Sequence, residues 1–244
     1  MKIKVFVHLN DLSGATDVMS EQLTLASESG LLDAADEVIL CTNGDESKFA
    51  GAREVMAEFK NVTFAHTSNN SKLWEFPTLD IIKQECDVTP DEECYICYFH
   101  LKGLSRPNDT KAVDWRTYLN YWTIERWEDS VAKLDEGMDT VGVDFIEAPW
   151  PHYSGNFWWA RASYIRKLDP LIHPDKLSWG KQSTLIDATL DQGNFRFEHE
   201  AWIGSGNPVW AELHQGPGKE TQGWHYKNNY SREEYATETS TAED

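Results

Sequence analysis

Positive charge is what this chain has least of: 22 Lys and Arg stand against 41 Asp and Glu in 244 residues, a formal net charge of −19. Nucleic-acid binding draws its strength from cations that displace counterions from phosphates, so this deficit argues against DNA or RNA as a partner. Long apolar runs are missing too. None approaches the roughly 20 residues needed to cross a bilayer, and no membrane insertion is expected. The opening Met1-Lys-Ile-Lys-Val-Phe-Val-His8 lacks the longer apolar core and cleavage site of a secretory signal. It reads as a first β-strand, and the expected location is cytoplasmic. Cysteine is scarce as well. Cys41, Cys86, Cys94 and Cys97 are too few to frame a chain of this length with disulfides, which fits a reducing compartment. Cys94 and Cys97 form a C-x-x-C, but in a strand an offset of three points the thiols to opposite faces, against zinc or redox use. Without a signal, the sequons at Asn61, Asn69, Asn108 and Asn229 carry no weight.

What is present is regular alternation. With 40% apolar residues the chain can bury one substantial core. Strand patterns at 2–8, 38–42, 62–65 and 95–99 alternate with helical spacing at 16–29, 47–59 and 77–85, which predicts βαβ crossovers and an α/β fold with a mainly parallel sheet. Asp109-Thr110 can cap a helix running to about Leu134. Its two apolar stripes, one through Trp115, Tyr118, Leu119 and Trp122 and one through Ile124, Trp127, Val131 and Leu134, do not coincide at 100° per residue. The helix is therefore either broken near 121–123 or covered on two sides. Strands are expected at 140–145 and 155–160, and helices near 163–168 and 182–190. The organisation expected is a single domain over 1–227, with halves 1–105 and 106–227, followed by an acidic, loosely attached tail at 228–244.

Three stretches carry chemistry. In Tyr95-Ile-Cys-Tyr-Phe-His-Leu-Lys-Gly103 a buried-strand pattern ends in a polar, glycine-terminated turn. His100, Lys102 and Gly103 then lie beyond the strand's carboxyl end, the edge where open α/β sheets bind ligands, and a phosphate-bearing substrate suits them. A plain solvated turn is the simpler reading of the same residues. In His152-Tyr-Ser-Gly-Asn-Phe-Trp-Trp-Ala160, Ser154, Gly155 and Asn156 offer hydroxyl, backbone and amide groups of the kind sugar hydroxyls seek, although a tight turn would explain them too. Trp158 and Trp159 must face opposite ways, so at most one lines a given cleft. In Arg196-Phe-Glu-His-Glu-Ala-Trp202, read as a strand, Glu198 and Glu200 share a face, as a base would or as a solvated acidic edge does by default. Ten of the eleven tryptophans lie at or after position 115. Indole stacks on sugar C–H faces, yet most of these rings are expected to fill the core.

In their order, Trp74-Glu-Phe-Pro-Thr-Leu79, HLKGLS, Asp114-Trp-Arg116, HYSGNFWWA and a terminal Glu-x-Trp resemble a family of nucleotide-sugar glycosyltransferases of the GT-A fold, encoded by large algal viruses and bacteria. The likeness covers roughly 3–205, and rhamnan-synthesis glycosyltransferases carry a similar His-Thr-Lys turn. The resemblance implies a Rossmann-like nucleotide-binding half joined to an acceptor half, and a host cytoplasm if a virus encodes the chain. It implies that His8, Asn10, Glu75 and Thr78 contact the nucleotide, and that His100 and Lys102, with Gly103, approach the pyrophosphate. Arg116 either steadies the diphosphate or pairs with Asp114. His152, Ser154, Gly155, Asn156, Trp158 and Trp202 would hold the donor sugar or acceptor.

Many GT-A enzymes place an Asp-x-Asp metal motif after the fourth strand, and this chain has none. Two forms of the reaction stay open: a divalent Mn²⁺ or Mg²⁺ held by the diphosphate with Asp144 or His214, or Lys102 in the metal's place. The expected chemistry is transfer of a hexose, rhamnose being a first test, from a nucleotide diphosphate to a glycan or glycoprotein with inversion. Glu200 is the first choice of base and Asp144 the second. The alternative is a non-catalytic carbohydrate-binding protein on a degenerate transferase fold. A nucleotidyltransferase would want a basic, Gly-rich first loop, and His8-Leu-Asn-Asp-Leu-Ser-Gly14 has no Arg or Lys.

Overall fold

β-Branched and aromatic residues between short helical segments build a layered α/β fold. In the structure, a computed structural model that describes residues 1–89, 93–174, 195–219, 221 and 223–236, strand β1 (Lys2–Asn10) lies in the interior of the sheet. It pairs in parallel with β2 (Glu37–Asn43), which pairs in parallel with β3 (Val62–Ser68), and on its other side with β4 (Cys94–His100). Beyond β4 come the antiparallel β8 (Trp158–Arg161), then β5 (Thr140–Gly142) and β9 (Trp210–Glu212), giving the order β3-β2-β1-β4-β8-β5-β9. A single sheet thus joins both halves of the chain. A two-stranded ribbon, β6 (Phe145–Ile146) with β7 (His152–Tyr153), stands beside it.

Strand alternation divides the core. Val5, Val7 and Leu9 of β1 and Cys97 and Phe99 of β4 face α1 (Ala15–Glu28), the short α2 (Leu31–Ala34) and α3 (Ala50–Met56). Phe6, Ile96 and Tyr98 face α4 (Phe76–Val88). Cys94 and Cys97 fall in opposite layers, and all four cysteines are buried free thiols.

The mismatched stripes are resolved as a break. α5 (Thr110–Asn120), capped by Asp109 accepting from the Lys111 N–H, passes into a π-turn at Tyr121–Glu125 and then α6 (Trp127–Asp135). The wide turn offers the Thr123 carbonyl, which accepts from the Trp159 indole N–H at 3.0 Å.

Three expectations change. The strand expected at 140–145 is split, because Asp144 takes a left-handed backbone (φ 49°) and turns the chain from β5 into β6. The strand expected from Gly155 begins only at Trp158, since Gly155 and Asn156 have φ of 87° and 57°. The segment expected as a strand at 196–202 is helix α8 (Phe195–Trp202); two residues there are about 200° apart, so Glu198 and Glu200 do not share a face. The helix expected near 163–168 is the short α7 (Ala162–Ile165), which ends before Leu168, while the helix expected near 182–190 lies outside the described residues. The tail is not loose as far as it is described: Tyr230 and Tyr235 are buried, Asn229 binds Asp114 and Thr110, and α9 (Arg232–Ala236) packs on α5. Two aromatic rings in an otherwise polar segment are enough to anchor it.

Candidate functional site

His8 and His100 are register partners on adjacent parallel strands and project on the same face, toward α4. Their rings close on Glu75, at the entry to α4. Glu75 Oε2 accepts the Tyr98 hydroxyl at 2.7 Å and the Asn156 amide at 2.6 Å, and Asn156 Oδ1 in turn accepts the Trp158 indole N–H. His199, from α8, completes a ring of three imidazoles around one carboxylate. Burial lowers His8 to about 3 and His199 to about 4, and it lowers His100 as well, so the rings are neutral at physiological pH. Glu75 runs the other way: burial opposes its charge, but the histidines, once protonated in acid, and the Tyr98 hydroxyl favour it and hold the carboxyl at about 2.

Above this cluster, at the carboxyl ends of β1 and β4, lies a cleft in two compartments. The first has about 820 Å³ of open space and is lined by His8, Asn10, Glu75, His100 and Gly103 together with three cations. Each cation rests on an aromatic ring: Lys102 Nζ is 3.8 Å from the centre of Trp115, Arg106 4.6 Å from Tyr226, and Arg196 4.2 Å from Trp74. None of the three forms an ion pair with a described residue. The buried His8 Nε2 also has no hydrogen-bond partner among the described residues. The second compartment, about 570 Å³, shares Lys102 and Trp115 and is walled by His152, Ser154, Gly155, Trp150 and Phe197, with Glu200 in its lining. Burial raises the Glu200 carboxyl above its ordinary 4.5 against the opposing pull of Lys102 and Arg196, and Glu75 adds to the rise.

Most of the residues expected at the site are therefore brought together; seven are placed elsewhere or in another role. Thr78 is wholly buried and bonds His8 Nδ1 at 2.8 Å, beneath the cleft rather than in it. Arg116 does not pair with Asp114: it makes a two-pronged bond to Glu21 and donates to the Lys102 carbonyl, bracing the HLKG turn from behind. Asn156 is buried and spent on Glu75 and Trp158, and Trp158 itself is core, tilted against Tyr98 at 5.1 Å. Trp202 is core as well, its indole N–H donated to the Asp169 carbonyl. Asp144 is fully buried, accepting from the Gly216 N–H at 2.5 Å and facing His225 Nε2 at 3.2 Å. His214 is stacked on Trp122 with its Nδ1 at the Tyr118 hydroxyl. Among the described residues no group of three His, Cys, Asp or Glu could hold a metal ion, and Asp144 and His214 have their donors engaged. Sequence reasoning missed Arg106, Arg196, His199, His225 and Tyr226. Arg196 and His199 sat inside a recognised stretch that was read with the wrong periodicity, whereas His225 carried no pattern at all.

No helix among the described residues is long and apolar enough to cross a membrane. No curated protein matches the chain. Solved structures do resemble it. A manganese complex of Rv0371C from Mycobacterium tuberculosis H37Rv is 16% identical over 88% of this chain and 89% of that one, with a TM-score of 0.44. A putative nucleotide-diphospho-sugar transferase from Desulfovibrio desulfuricans G20 is 9% identical over 88% and 81%, TM-score 0.36. A 4-diphosphocytidyl-2C-methyl-D-erythritol synthase is 13% identical over 83% and 98%, TM-score 0.35. A family model spans residues 3–234, and the chain belongs to that family, described as a domain of unknown function (DUF8361).

Proposed function

We propose that this protein is a GT-A-type glycosyltransferase that moves a hexose, rhamnose being the first to test, from a nucleotide diphosphate to a glycan or glycoprotein acceptor. The observation that carries the reading is the set of three cations that form no ion pair among the described residues, gathered in one compartment of a chain with net charge −19. Charge so concentrated against the balance of the molecule suits a diphosphate. The donor lies in the first compartment, its nucleotide toward Asn10 and its diphosphate toward Lys102, Arg106 and Arg196. The acceptor enters the second compartment, and Lys102 borders both.

In the reaction Glu200 takes the proton of the acceptor hydroxyl while its oxygen attacks the anomeric carbon. The bond from that carbon to the diphosphate breaks, and its electron pair leaves with the diphosphate, where the three cations neutralise it. One carboxylate suffices for inversion. Desolvation keeps Glu200 more basic than a solvated carboxylate, as the role asks. The donor set at Asp144 and His214 does not fit a divalent ion, so the cations of the cleft are assigned the metal's charge-neutralising role.

Thermal-shift titration with UDP, GDP, TDP and their sugars, with and without Mn²⁺, tests the donor assignment, because a ligand of the native state raises Tm. One nucleotide is expected to raise Tm without added metal. Glu200→Gln is then expected to bind that nucleotide normally and to lose turnover by roughly 100-fold or more. Binding of glycan by the wild type with no response to any nucleotide would instead favour a carbohydrate-binding protein.

A further inference from the structure

Among the described residues, the large apolar side chains left exposed are aliphatic or Met except for two rings, Phe197 at 37% and Tyr226 at 47%, and both rings line the second compartment. An isolated exposed apolar residue is ordinary; two aromatic rings at one cleft ask for a reason. The two differ in what they can still bind. Tyr226 lines both compartments and has Arg106 over its ring at 4.6 Å. Phe197 lines the second compartment only, and no cation of the described residues lies over it. Beside it is the half-buried Trp150, from the segment between β6 and β7, with ring centres 5.6 Å apart and planes tilted by 41°. Trp150 lines the same compartment.

Helix geometry relates this platform to Glu200. Phe197 and Glu200 are three residues apart on α8, so they share a face and lie about 4.5 Å apart along the axis. Glu200 is the less exposed of the two, and the compartment therefore runs from an outer aromatic surface to an inner carboxylate. Lys102 and Glu200 are the only Lys, Arg, Asp or Glu in its lining. Ser154 adds a hydroxyl, and His152, whose Nδ1 donates to the Trp150 carbonyl at 2.9 Å, adds an imidazole whose charge burial opposes. Aromatic surface beside uncharged hydrogen-bonding groups complements a sugar, which has an apolar C–H face and a hydroxylated edge. We propose that Phe197, backed by Trp150, is the platform for the second sugar of the acceptor: the terminal unit presents its hydroxyl to Glu200, and the next unit lays its C–H face on the Phe197 ring. The acceptor class is thus an oligosaccharide, not a free monosaccharide or a protein side chain. This rests on the transferase reading of the cleft.

The test is an array of mono-, di- and trisaccharides grouped by shared terminal unit, probed with the full chain in the presence of the nucleotide that raises Tm. Wild type is expected to bind a di- or trisaccharide roughly 5-fold or more tightly than the monosaccharide with the same terminal unit, the value of one stacked ring. Phe197→Ala is expected to bind the longer glycans only as well as the monosaccharide. Because the side chain is exposed, that variant should keep the wild-type Tm and the wild-type nucleotide-induced shift. Phe197→Tyr, which retains a ring, is expected to keep the preference for length. Equal binding of mono- and disaccharide by wild type, a length preference undiminished in Phe197→Ala, or a wild type that takes nucleotide and no glycan would each overturn the inference alone. A wild type indifferent to every nucleotide would overturn the transferase reading beneath it.

Discussion

Replacing Glu75 by Gln removes one buried charge with little change of shape, and its consequences can be worked from the contacts. Oε2 takes two donors, Tyr98 and Asn156. Hydrogen bonds to a charged group are worth about 1.5–3 kcal/mol against about 0.5–1.5 for neutral ones, so neutralising the acceptor weakens each by about 1 kcal/mol. Burial of the charge opposes this; at neutral pH, where the rings are neutral, the Tyr98 hydroxyl and the Asn156 amide are the contacts that offset it. The expected loss is about 2 kcal/mol at neutral pH, a Tm drop of roughly 4–8 °C for a chain of this size. Because the folded carboxyl is depressed, its contribution is complete above pH 4.5 and is lost as the pH falls through about 2. That part of the acid slope disappears in the variant. Urea unfolding across pH, run with Tyr98→Phe and the double variant, measures both; a coupling of about 1 kcal/mol is expected between the two sites. A Glu75→Gln protein that melts within a degree of wild type and keeps its acid slope would refute the account of the carboxylate as the hub of the cluster.

Other outcomes follow from the same geometry. Lys102→Met should weaken binding of the nucleotide diphosphate by about 10-fold or more, the value of one charge-assisted contact, and leave Tm without ligand nearly unchanged; equal affinity in calorimetry would remove Lys102 from the phosphate site. Trp158→Ala should cost about 3–5 kcal/mol of stability, because the ring is core, and a stable variant impaired only in sugar binding would contradict that placement. Stability should fall as the pH drops below about 6.5, since His8 and His199 bind protons on unfolding and resist them until about 3 and 4 when folded. Denaturant titration is expected to find at least ~1 kcal/mol less stability at pH 5 than at pH 7.5, and His8→Gln to reduce that difference.

The sheet was legible because its strands are local and period-2: all four strands of the first half appear where the apolar runs lie, and the conflict of stripes near 121–123 becomes a real break. The candidate site was legible where a motif sits at a strand end, as with His100, Lys102 and Gly103. It was misread wherever a side chain's partner is remote in sequence. Trp158 and Trp202 have the chemistry of sugar platforms, yet the layers that close over them are built from distant segments. Asp144 has the chemistry of a base or metal ligand until residue 225 is brought against it, 81 positions away. The reading of 196–202 failed for a different reason: Glu-x-Glu spacing fits a strand edge as well as a helix, and only the packing of α8 decides.

By itself the sequence determined the acidic balance, the alternation of strands and helices, the cap at Asp109 and the opposite facing of Cys94 and Cys97, all of which follow from composition or from neighbours a few residues apart. Only the tertiary structure decided that three cations converge without an ion pair among the described residues, that three histidines gather near one carboxylate, and that Asp144 faces His225. Burial and charge pairing are properties of what is brought near in space. No local pattern encodes them until the chain has closed over itself.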